Sequence, residues 1–212
     1  MPKLKPETQA ARREHILDAA ELCVARHGFH RTTMQDICRE AAVSAGALYV
    51  YFSSKEQLIA GIAERDRAEF AQRFARLAAA PDFMSELQSI GEHYFIDEPR
   101  HRRLMCVEIG VEATRNPTVA EIHRSVDSFV KQSFAELFTR LAAEGRIRPT
   151  VDIPTLTEIF FVIGDGLFWR RAVDPKFDGA KVVPAATKVI AGLLNPVPQH
   201  ATHSAPPAKI EA

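Results

Sequence analysis

The sequence predicts an all-α protein with an N-terminal three-helix unit and a larger C-terminal helical bundle, and three observations lead to that fold class. Apolar residues recur at the 3.6-residue spacing of a helix through most of the 212 residues, and hardly any stretch alternates like a strand. Prolines divide the chain after residue 80 into segments of helix length. The 46% of hydrophobic residues is enough for a core in each part.

The first helix is expected over residues 8–27. Ile16 and Ala20 belong to its apolar face, and Gly28 stands where a helix C-cap belongs. Residues 1–7 hold two prolines and two lysines, so we expect them to form a mobile basic arm.

The second, third and fourth helices follow from their N-terminal signals. Thr33 and Asp36 have the spacing of a capping box, with Asp in place of the commoner Glu or Gln, and a helix of two turns follows. Ser44 and Ser54 are N-cap candidates for a short third helix and for a long fourth helix that reaches about residue 79.

Proline positions and apolar spacing predict five further helices, with Gly145 closing the longest. The tail over 195–212 is rich in proline and poor in large apolar groups, so we expect it to be disordered. The five helices are expected over 82–95, 100–115, 118–144, 154–172 and 181–194.

Composition excludes several classes of protein. Lys+Arg and Asp+Glu both number 27, so a nucleic-acid surface has to be a local patch. The three cysteines are far apart, which argues against a disulfide scaffold or structural zinc and favours the reducing cytoplasm. Charges run through the first 30 residues and no apolar run is long enough for a bilayer, so we expect neither a signal peptide nor a membrane-spanning helix.

Residues 33–52 have the spacing of a helix-turn-helix, in which the second helix begins with small residues that let its N-terminus enter a DNA major groove. Tyrosine hydroxyls and a lysine ammonium nearby suit phosphate oxygens. All-α proteins without DNA also contain such helices, so spacing alone leaves both interpretations open. The candidates for base contact are Gln35, Ser44, Ala45 and Gly46, and those for phosphate contact are Tyr49, Tyr51 and Lys55.

The run GFHRTTMQDICREAAVSAGALYVYFSSKEQL, residues 28–58, resembles the DNA-binding signature of TetR-family transcriptional regulators. The resemblance implies an all-helical homodimer with a DNA-binding domain, here residues 1–53, and a ligand-binding and dimerisation domain, here residues 54–194. It also implies that Thr33, Tyr49, Tyr51 and Lys55 contact phosphates and that Ser44, Ala45 and Gly46 meet bases.

Two positions depart from the family pattern. Ala42 stands in the turn where the family usually has glycine, and because alanine tolerates a standard turn we expect a mild effect. Tyr51 stands where histidine is common, and both side chains can donate to a phosphate.

Aromatic residues concentrate in the C-terminal part, since eleven of the thirteen phenylalanines lie beyond residue 60. They can line an apolar cavity or fill helical cores, and composition leaves both open. The resemblance implies a cavity between the middle helices that takes a small, largely apolar effector. The candidate lining residues are Phe74, Phe83, Leu87, Tyr94, Met105, Ile109, Phe134 and Trp169.

The helices over 118–144 and 154–172 are the candidates for a dimer interface. The second is apolar around too much of its circumference to face solvent, and Gly164 and Gly166 would permit close helix approach. The resemblance implies a four-helix bundle with the partner chain, and burial inside one chain is the alternative. A two-fold dimer would present two recognition helices to successive major grooves of a pseudo-palindromic operator.

Other functions have weaker support. The chain has no GxSxG, P-loop, HExxH or GxGxxG motif, so we predict no enzyme, no cofactor and no metal. His93, His101 and His123 lie near glutamates without the spacing of a metal site. The basic cluster over 100–103 is consistent either with binding of an anionic effector or with a solvated helix end. The cysteines are consistent either with oxidant sensing or with packing in a core. A helical-bundle enzyme and a protein-interaction module stay as alternatives.

Together these features predict an effector-responsive DNA-binding regulator, a repressor that a small molecule releases from its operator. The long fourth helix joins both domains, so we expect it to be the hinge through which ligand binding shifts the population of DNA-competent dimers.

Overall fold

The computed structural model describes residues 6–198, so most of the predicted basic arm and the chain beyond residue 198 lie outside the described residues. The described part is all-α, as predicted, and none of its helices is long and apolar enough to cross a membrane. The elements are α1 (Pro6–His27), α2 (Met34–Glu40), α3 (Ala45–Tyr49), α4 (Lys55–Ala79), α5 (Phe83–Glu92), a π-helical turn (His93–Asp97), α6 (Arg100–Ala113), α7 (Pro117–Ala143), α8 (Ile153–Val173) and α9 (Gly179–Leu194).

Side-chain caps explain why most of these helices begin where they do. Before seven of the described helices, the preceding side chain accepts a hydrogen bond from a first-turn N–H that has no partner within the helix. Thr33 and Asp36 form the predicted capping box, and Ser44 and Ser54 cap α3 and α4 as predicted. The other caps are Asp82, Asn116, Asp152 and Asp178.

The predicted helix over 82–95 changes form near its end, where α5 gives way to the π-helical turn. The buried Arg103 side chain donates to the carbonyl of Glu98, and Arg171 Nη2 donates to the carbonyl of Ile96 at 3.1 Å. These guanidinium groups come from α6 and α8 and satisfy carbonyls at the end of the turn. Such a tertiary effect leaves no mark in apolar periodicity.

The first of two apolar cores joins α1, α2, α3 and the start of α4. Ile16 and Leu48 are fully buried in it. Met105 and Ile109 from α6 and Val119 from α7 enter the same core. The N-terminal three-helix unit is therefore packed against helices that come much later in the chain.

The second core lies among α4, α5, α7, α8 and α9 and is rich in phenylalanine. The ring centroid of Phe134 on α7 lies 5.3 Å from that of Phe74 and 4.5 Å from that of Phe160. The tilted and edge-on arrangements of these rings are those that aromatic quadrupoles favour. Much of the phenylalanine content is thus core packing, one of the two roles that composition had left open.

The structure corrects the prediction of disorder for residues 195–198, and the rest of the predicted tail lies outside the described residues. Asn195 ends α9 in the left-handed conformation, and its carbonyl accepts a hydrogen bond from Arg148 N at 3.0 Å. Val197 N donates to the carbonyl of Arg146 at 2.8 Å. Backbone pairing, which composition does not reveal, therefore holds the start of the tail against the segment after α7.

Candidate DNA-binding surface and ligand cavity

The N-terminal end of α3 presents small, exposed side chains. Ser44 Oγ accepts a hydrogen bond from Ala47 N at 3.2 Å, and Ser44, Ala45 and Gly46 are all exposed. A Cβ built on Gly46 would meet no atom within 4 Å. This end of α3 can therefore approach another surface closely, which the predicted base contacts require.

The turn that leads into α3 contains a strained residue. Ala42 has a φ of +48°, in the left-handed region, where the Cβ of an L-residue crowds the following carbonyl oxygen. The expectation of a mild effect at this position is therefore wrong, because the turn is not one that alanine adopts freely. The usual glycine of the family would avoid this cost.

The two predicted DNA contacts at the start of α2, Gln35 and Thr33, differ in their surroundings. Gln35 is exposed. Thr33 is also exposed, but its hydroxyl donates to Asp36 Oδ2 at 2.6 Å and its backbone N–H donates to the same oxygen at 2.9 Å. These hydrogen bonds hold the pKa of Asp36 below its usual value. A phosphate at Thr33 would therefore compete with Asp36 for the same donors.

The tyrosine candidates lie at the C-terminal end of α3 and just beyond it. Tyr49 is 53% exposed, whereas Tyr51 is half-buried against the first core. Val50 between them is 78% exposed and was not among the predicted contacts. A large apolar side chain so exposed next to the α3 surface is the signal that would have identified it.

Lys55, predicted to contact phosphate, is also part of the fold. Its Nζ donates to the carbonyl of Phe29 at 2.6 Å and to that of His30 at 3.4 Å, and it lies 4.4 Å from the centroid of the Phe29 ring. The ammonium therefore ties the start of α4 to the turn after α1. One N–H of the ammonium remains for a further acceptor.

A cavity of about 290 Å³ lies among α4, α5, the π-helical turn, α7, α8 and α9. Its wall is mostly apolar and includes seven aromatic residues, and the charged groups on it are Asp66, Arg67 and Asp165. The predicted lining residues that reach it are Leu87, Tyr94 and Phe134. The aromatic wall is completed by residues that were not predicted, namely Phe70, Phe95, Phe160, Phe161 and Phe168.

Of the other five predicted lining residues, Met105 lines a smaller adjoining space and the remaining four line neither space, which corrects the assignment of those four. Phe74 and Phe83 pack in the second core, while Met105 and Ile109 belong to the first core because α6 packs against α1. Trp169 lies on the outer face of α8 and is 52% exposed, because its helical phase differs from that of its neighbour Phe168.

A smaller space of about 80 Å³, which we call the acidic chamber, adjoins the cavity because Asp66, Tyr94 and Phe168 line both. Burial raises the pKa values of Glu21, Asp66 and Glu98, and that of Tyr94 to about 12. The residues that line the acidic chamber are Glu21, Asp66, Glu69, Tyr94, Glu98, Arg102, Met105, Cys106 and Phe168.

Arg102 connects the carboxylates of the acidic chamber. Its Nη2 lies 2.5 Å from Asp66 Oδ1 and its Nη1 3.3 Å from Glu69 Oε2, both on α4. Its Nε lies 3.1 Å from Glu98 Oε1 and 3.8 Å from Glu21 Oε1 on α1. These partners raise the pKa of the guanidinium, which desolvation alone would lower. One side chain of α6 therefore links the ligand cavity to the DNA-binding part of the chain.

The basic cluster over 100–103 is divided, since Arg100 is exposed at the start of α6 while two of its arginines are taken up by other groups. Arg102 is taken up by carboxylates, and Arg103 is buried against the π-helical turn. Cys23 and Cys38 are buried in the first core. Cys106 is an exposed residue whose thiol faces the acidic chamber, where desolvation raises the pKa of the thiol to about 12. The described residues contain no group of His, Cys, Asp and Glu arranged to hold a metal ion.

An unpartnered apolar face covers α8 and α9. Val162 and Val173 are exposed on α8 along with Trp169, and Val189 on α9 is 58% exposed. These α8 positions lie at helical spacing, so they form one stripe. The exposed face of α7 is polar, with residues such as Asp127. The dimer pair over 118–144 and 154–172 stays a prediction, and the exposed apolar side chains lie on α8 and α9.

Comparisons with known proteins agree with this architecture. Residues 16–62 match the family described as bacterial regulatory proteins, tetR family, and residues 84–195 match the C-terminal domain of BetI-type transcriptional repressors. The HTH-type transcriptional regulator UidR of Escherichia coli (strain K12) is 31% identical over 195 residues, which cover 92% of this chain and 98% of UidR.

Two further proteins are similar over most of their length. The HTH-type nicotine-responsive transcriptional repressor HdnoR of Paenarthrobacter nicotinovorans is 27% identical over 172 residues, which cover 77% of this chain and 85% of HdnoR. The solved structure of Salmonella enterica GusR is 27% identical with a TM-score of 0.75, and the match covers 90% of this chain and 97% of GusR.

A helix-turn-helix unit joined to a helical domain with an apolar cavity defines an effector-responsive, DNA-binding transcriptional regulator. The chain belongs to the tetR family of bacterial regulatory proteins, which confirms the resemblance seen in residues 28–58.

Proposed function

We propose that this protein is a repressor that binds a pseudo-palindromic operator as a homodimer and leaves it when a small molecule fills the cavity. The observation that carries the DNA-binding part is the exposed, small-residue N-terminus of α3. In a major groove, Ser44, Ala45 and Gly46 would lie against base edges, with Gln35 of α2 beside them. Val50 suits apolar contact with a thymine methyl group.

Phosphate contacts would flank that helix. Tyr49 and Tyr51 present hydroxyls at its C-terminal end, and Lys55 has one N–H left after its two backbone acceptors. Thr33 would contribute only where a phosphate outcompetes Asp36. These contacts add affinity for any DNA sequence, and their number sets the salt dependence of binding.

The dimer would form through α8 and α9. An exposed stripe with Val162, Trp169 and Val189 is what a four-helix bundle with a second copy would bury. The two copies of α3 would then be related by the two-fold axis, as the half-sites of a pseudo-palindrome require.

Ligand binding would act on DNA binding through the helices that meet at Arg102. Ligand in the cavity touches Asp66 and Tyr94, and Arg102 carries any shift of Asp66 to Glu21 on α1. The ligand favours whichever dimer state it binds more tightly, and it releases the operator only to that extent. Because the family consists of transcriptional regulators, we infer that the protein acts on the chromosome in the cytoplasm and is not an enzyme.

The test is selection of binding sites from a randomised DNA duplex library by the full-length protein, with the affinity for the selected site measured at two salt concentrations. We expect a two-fold-symmetric site with half-sites about 34–36 Å apart and weaker binding at the higher salt. Failure to enrich any sequence, or enrichment of a site without symmetry, would contradict the proposed dimeric repressor.

Two of the three tyrosines supply a matched test of the contact surface. Tyr49→Phe removes one hydroxyl at the DNA-binding surface, so we expect about a three- to tenfold weaker affinity for operator and random DNA alike. Tyr94→Phe makes the same change in the cavity, and we expect the operator affinity of the ligand-free protein to stay unchanged. Equal effects of the two changes in a gel-shift titration would argue against a hydroxyl contact at Tyr49.

A further inference from the structure

The acidic chamber holds more carboxylates than its own cation can neutralise. Glu21, Asp66, Glu69 and Glu98 line it, and Arg102 is the cationic side chain among the lining residues. From outside the lining, Arg65 pairs with Glu21 and Arg73 Nη2 lies 3.1 Å from Glu69 Oε1. His93 lies beside Glu69 and Glu98, and His101 beside Glu21, and each adds a positive charge only when it is protonated. Removing carboxylates from water costs free energy that only hydrogen bonds and opposite charges offset. The chamber is therefore a place where an additional positive charge would be stabilised.

One carboxylate oxygen in the acidic chamber lacks a partner. Glu98 is 7% exposed, and its Oε1 lies 3.1 Å from Arg102 Nε. Its Oε2 is buried and accepts no hydrogen bond. His93 Nε2, which is also buried without a hydrogen bond, lies 3.6 Å from this oxygen, beyond hydrogen-bond distance. Buried polar atoms in native proteins almost always have a partner, so this oxygen indicates a donor that arrives with a ligand.

The space next to the acidic chamber suits an apolar group of drug-like size. The cavity is walled by rings that include Phe70, Phe134 and Phe160, and it meets the chamber at Asp66 and Tyr94. Aromatic faces attract cations as well as apolar groups, because the ring quadrupole is negative at its face. A molecule that spans both spaces would place an apolar body in the cavity and a polar end among carboxylates.

We propose that the ligand is an organic amine whose protonated nitrogen enters the acidic chamber and donates to Glu98 Oε2, while its apolar part fills the cavity. A primary ammonium carries several N–H donors, which Glu98 and Asp66 can accept in addition to their bonds with Arg102. A carboxylate ligand would instead add negative charge beside four carboxylates, of which Glu21 and Glu98 are buried and Asp66 and Glu69 are partly buried. This inference rests on the proposed function, since it names the effector class of the same cavity.

The test compares three probes that share one body and differ in the polar end, namely 4-phenylbutylamine, 4-phenylbutan-1-ol and 4-phenylbutanoate. Their binding to the full-length protein is measured by isothermal titration calorimetry at neutral pH, where an alkylamine is protonated. We expect the amine to bind at least about tenfold more tightly than the alcohol, and the carboxylate to bind more weakly than both.

Three variants locate the binding. Glu98→Gln keeps the side-chain shape without the charge, so we expect the Kd values of amine and alcohol to come within about twofold of each other. Glu136→Gln makes the same change on the exposed face of α7 and keeps the preference for the amine. Gly164→Val adds bulk on the cavity wall and weakens the amine and the alcohol alike. Thermal unfolding of each variant shows whether it is folded.

Operator binding by the ligand-free protein is measured in parallel, so that the two ideas fail separately. If the protein binds operator but binds the alcohol or the carboxylate as tightly as the amine or more tightly, the amine inference is wrong and the proposed repressor function stands. Binding of none of the three probes overturns it as well, and so does a folded Glu98→Gln protein that retains the full preference for the amine. If the protein prefers the amine but does not bind operator, the proposed function is wrong instead.

Discussion

Single residues in the helix-turn-helix serve the fold and the proposed DNA contact together. Lys55 ties α4 to the carbonyls of Phe29 and His30, so its replacement would loosen the turn after α1 as well as remove a positive charge. For a Lys55 variant, the DNA affinity therefore has to be measured together with the thermal stability. Tyr49, with no such role in the described contacts, is the cleaner probe of phosphate contact.

At Ala42 the structure predicts a gain in stability from a single change. Ala42→Gly relieves the left-handed alanine, so we expect the free energy of unfolding to rise by about 1 kcal/mol and the Tm by about 2–4 °C. Ala60→Gly, an exposed position inside α4, should lower the stability by a similar amount. Differential scanning calorimetry of both variants checks this, and a loss of stability at Ala42 too would show that its strain is absent in solution.

Local signals made much of this region predictable from the sequence. The capping box of Thr33 and Asp36 and the cap at Ser44 depend on residues within four positions, and the structure has both. The left-handed Ala42 was missed because nothing in its own side chain signals the conformation. The partners of Lys55 lie 25 and 26 residues away, and the sequence held no signal for that contact.

At the scale of elements, the positions of the helices along the chain were predictable from the sequence. Which side of each helix faces the cavity, a core or the surface was not. The 3.6-residue periodicity found α8 and showed that it was apolar on most sides. Which of those sides faces the cavity depends on how α8 crosses α7 and α9, so Phe168 lines the cavity and Trp169 does not. The π-helical turn after α5 likewise depends on two arginines from other helices.

The exposed stripe on α8 leads to a prediction about oligomeric state. Val162 is 69% exposed, so Val162→Glu should leave the fold intact and break the proposed interface by placing a charge within it. We expect a monomer by analytical ultracentrifugation and at least about tenfold weaker operator binding. Val111→Glu places the same charge on α6 and should stay dimeric. A dimeric Val162→Glu protein would rule out this stripe as the interface.

For the whole molecule, the two cores and the acidic chamber between them define how ligand and DNA sites communicate. Glu21 on α1 is nearly fully buried, and it contacts Arg65 of α4 and Arg102 of α6. This network could not be predicted from the sequence, because its members come from three helices far apart in the chain. Charged residues at such positions resemble an ordinary solvated helix face until the helices are packed.

We therefore expect Glu21→Gln to uncouple ligand binding in the cavity from operator binding at α3. In the wild type, 4-phenylbutylamine should weaken operator binding by about 5- to 150-fold, the usual range of allosteric coupling. In Glu21→Gln that ratio should fall toward one, while operator and amine each still bind. Glu14→Gln alters a half-buried partner of Arg65 that lies outside the acidic chamber and should keep the coupling. Fluorescence anisotropy of labelled operator with and without the amine gives the ratio, and unchanged coupling in Glu21→Gln would exclude this route.

The shared first core also limits how this regulator can be recombined. Met105, Ile109 and Val119 close the core around α1 and α2 although they belong to later helices. A hybrid that joins residues 1–53 to the effector domain of another regulator would expose that face unless the new domain supplies the same apolar surface. Exchange of operator specificity is therefore better attempted by grafting the outward side chains of α2 and α3 onto the intact chain.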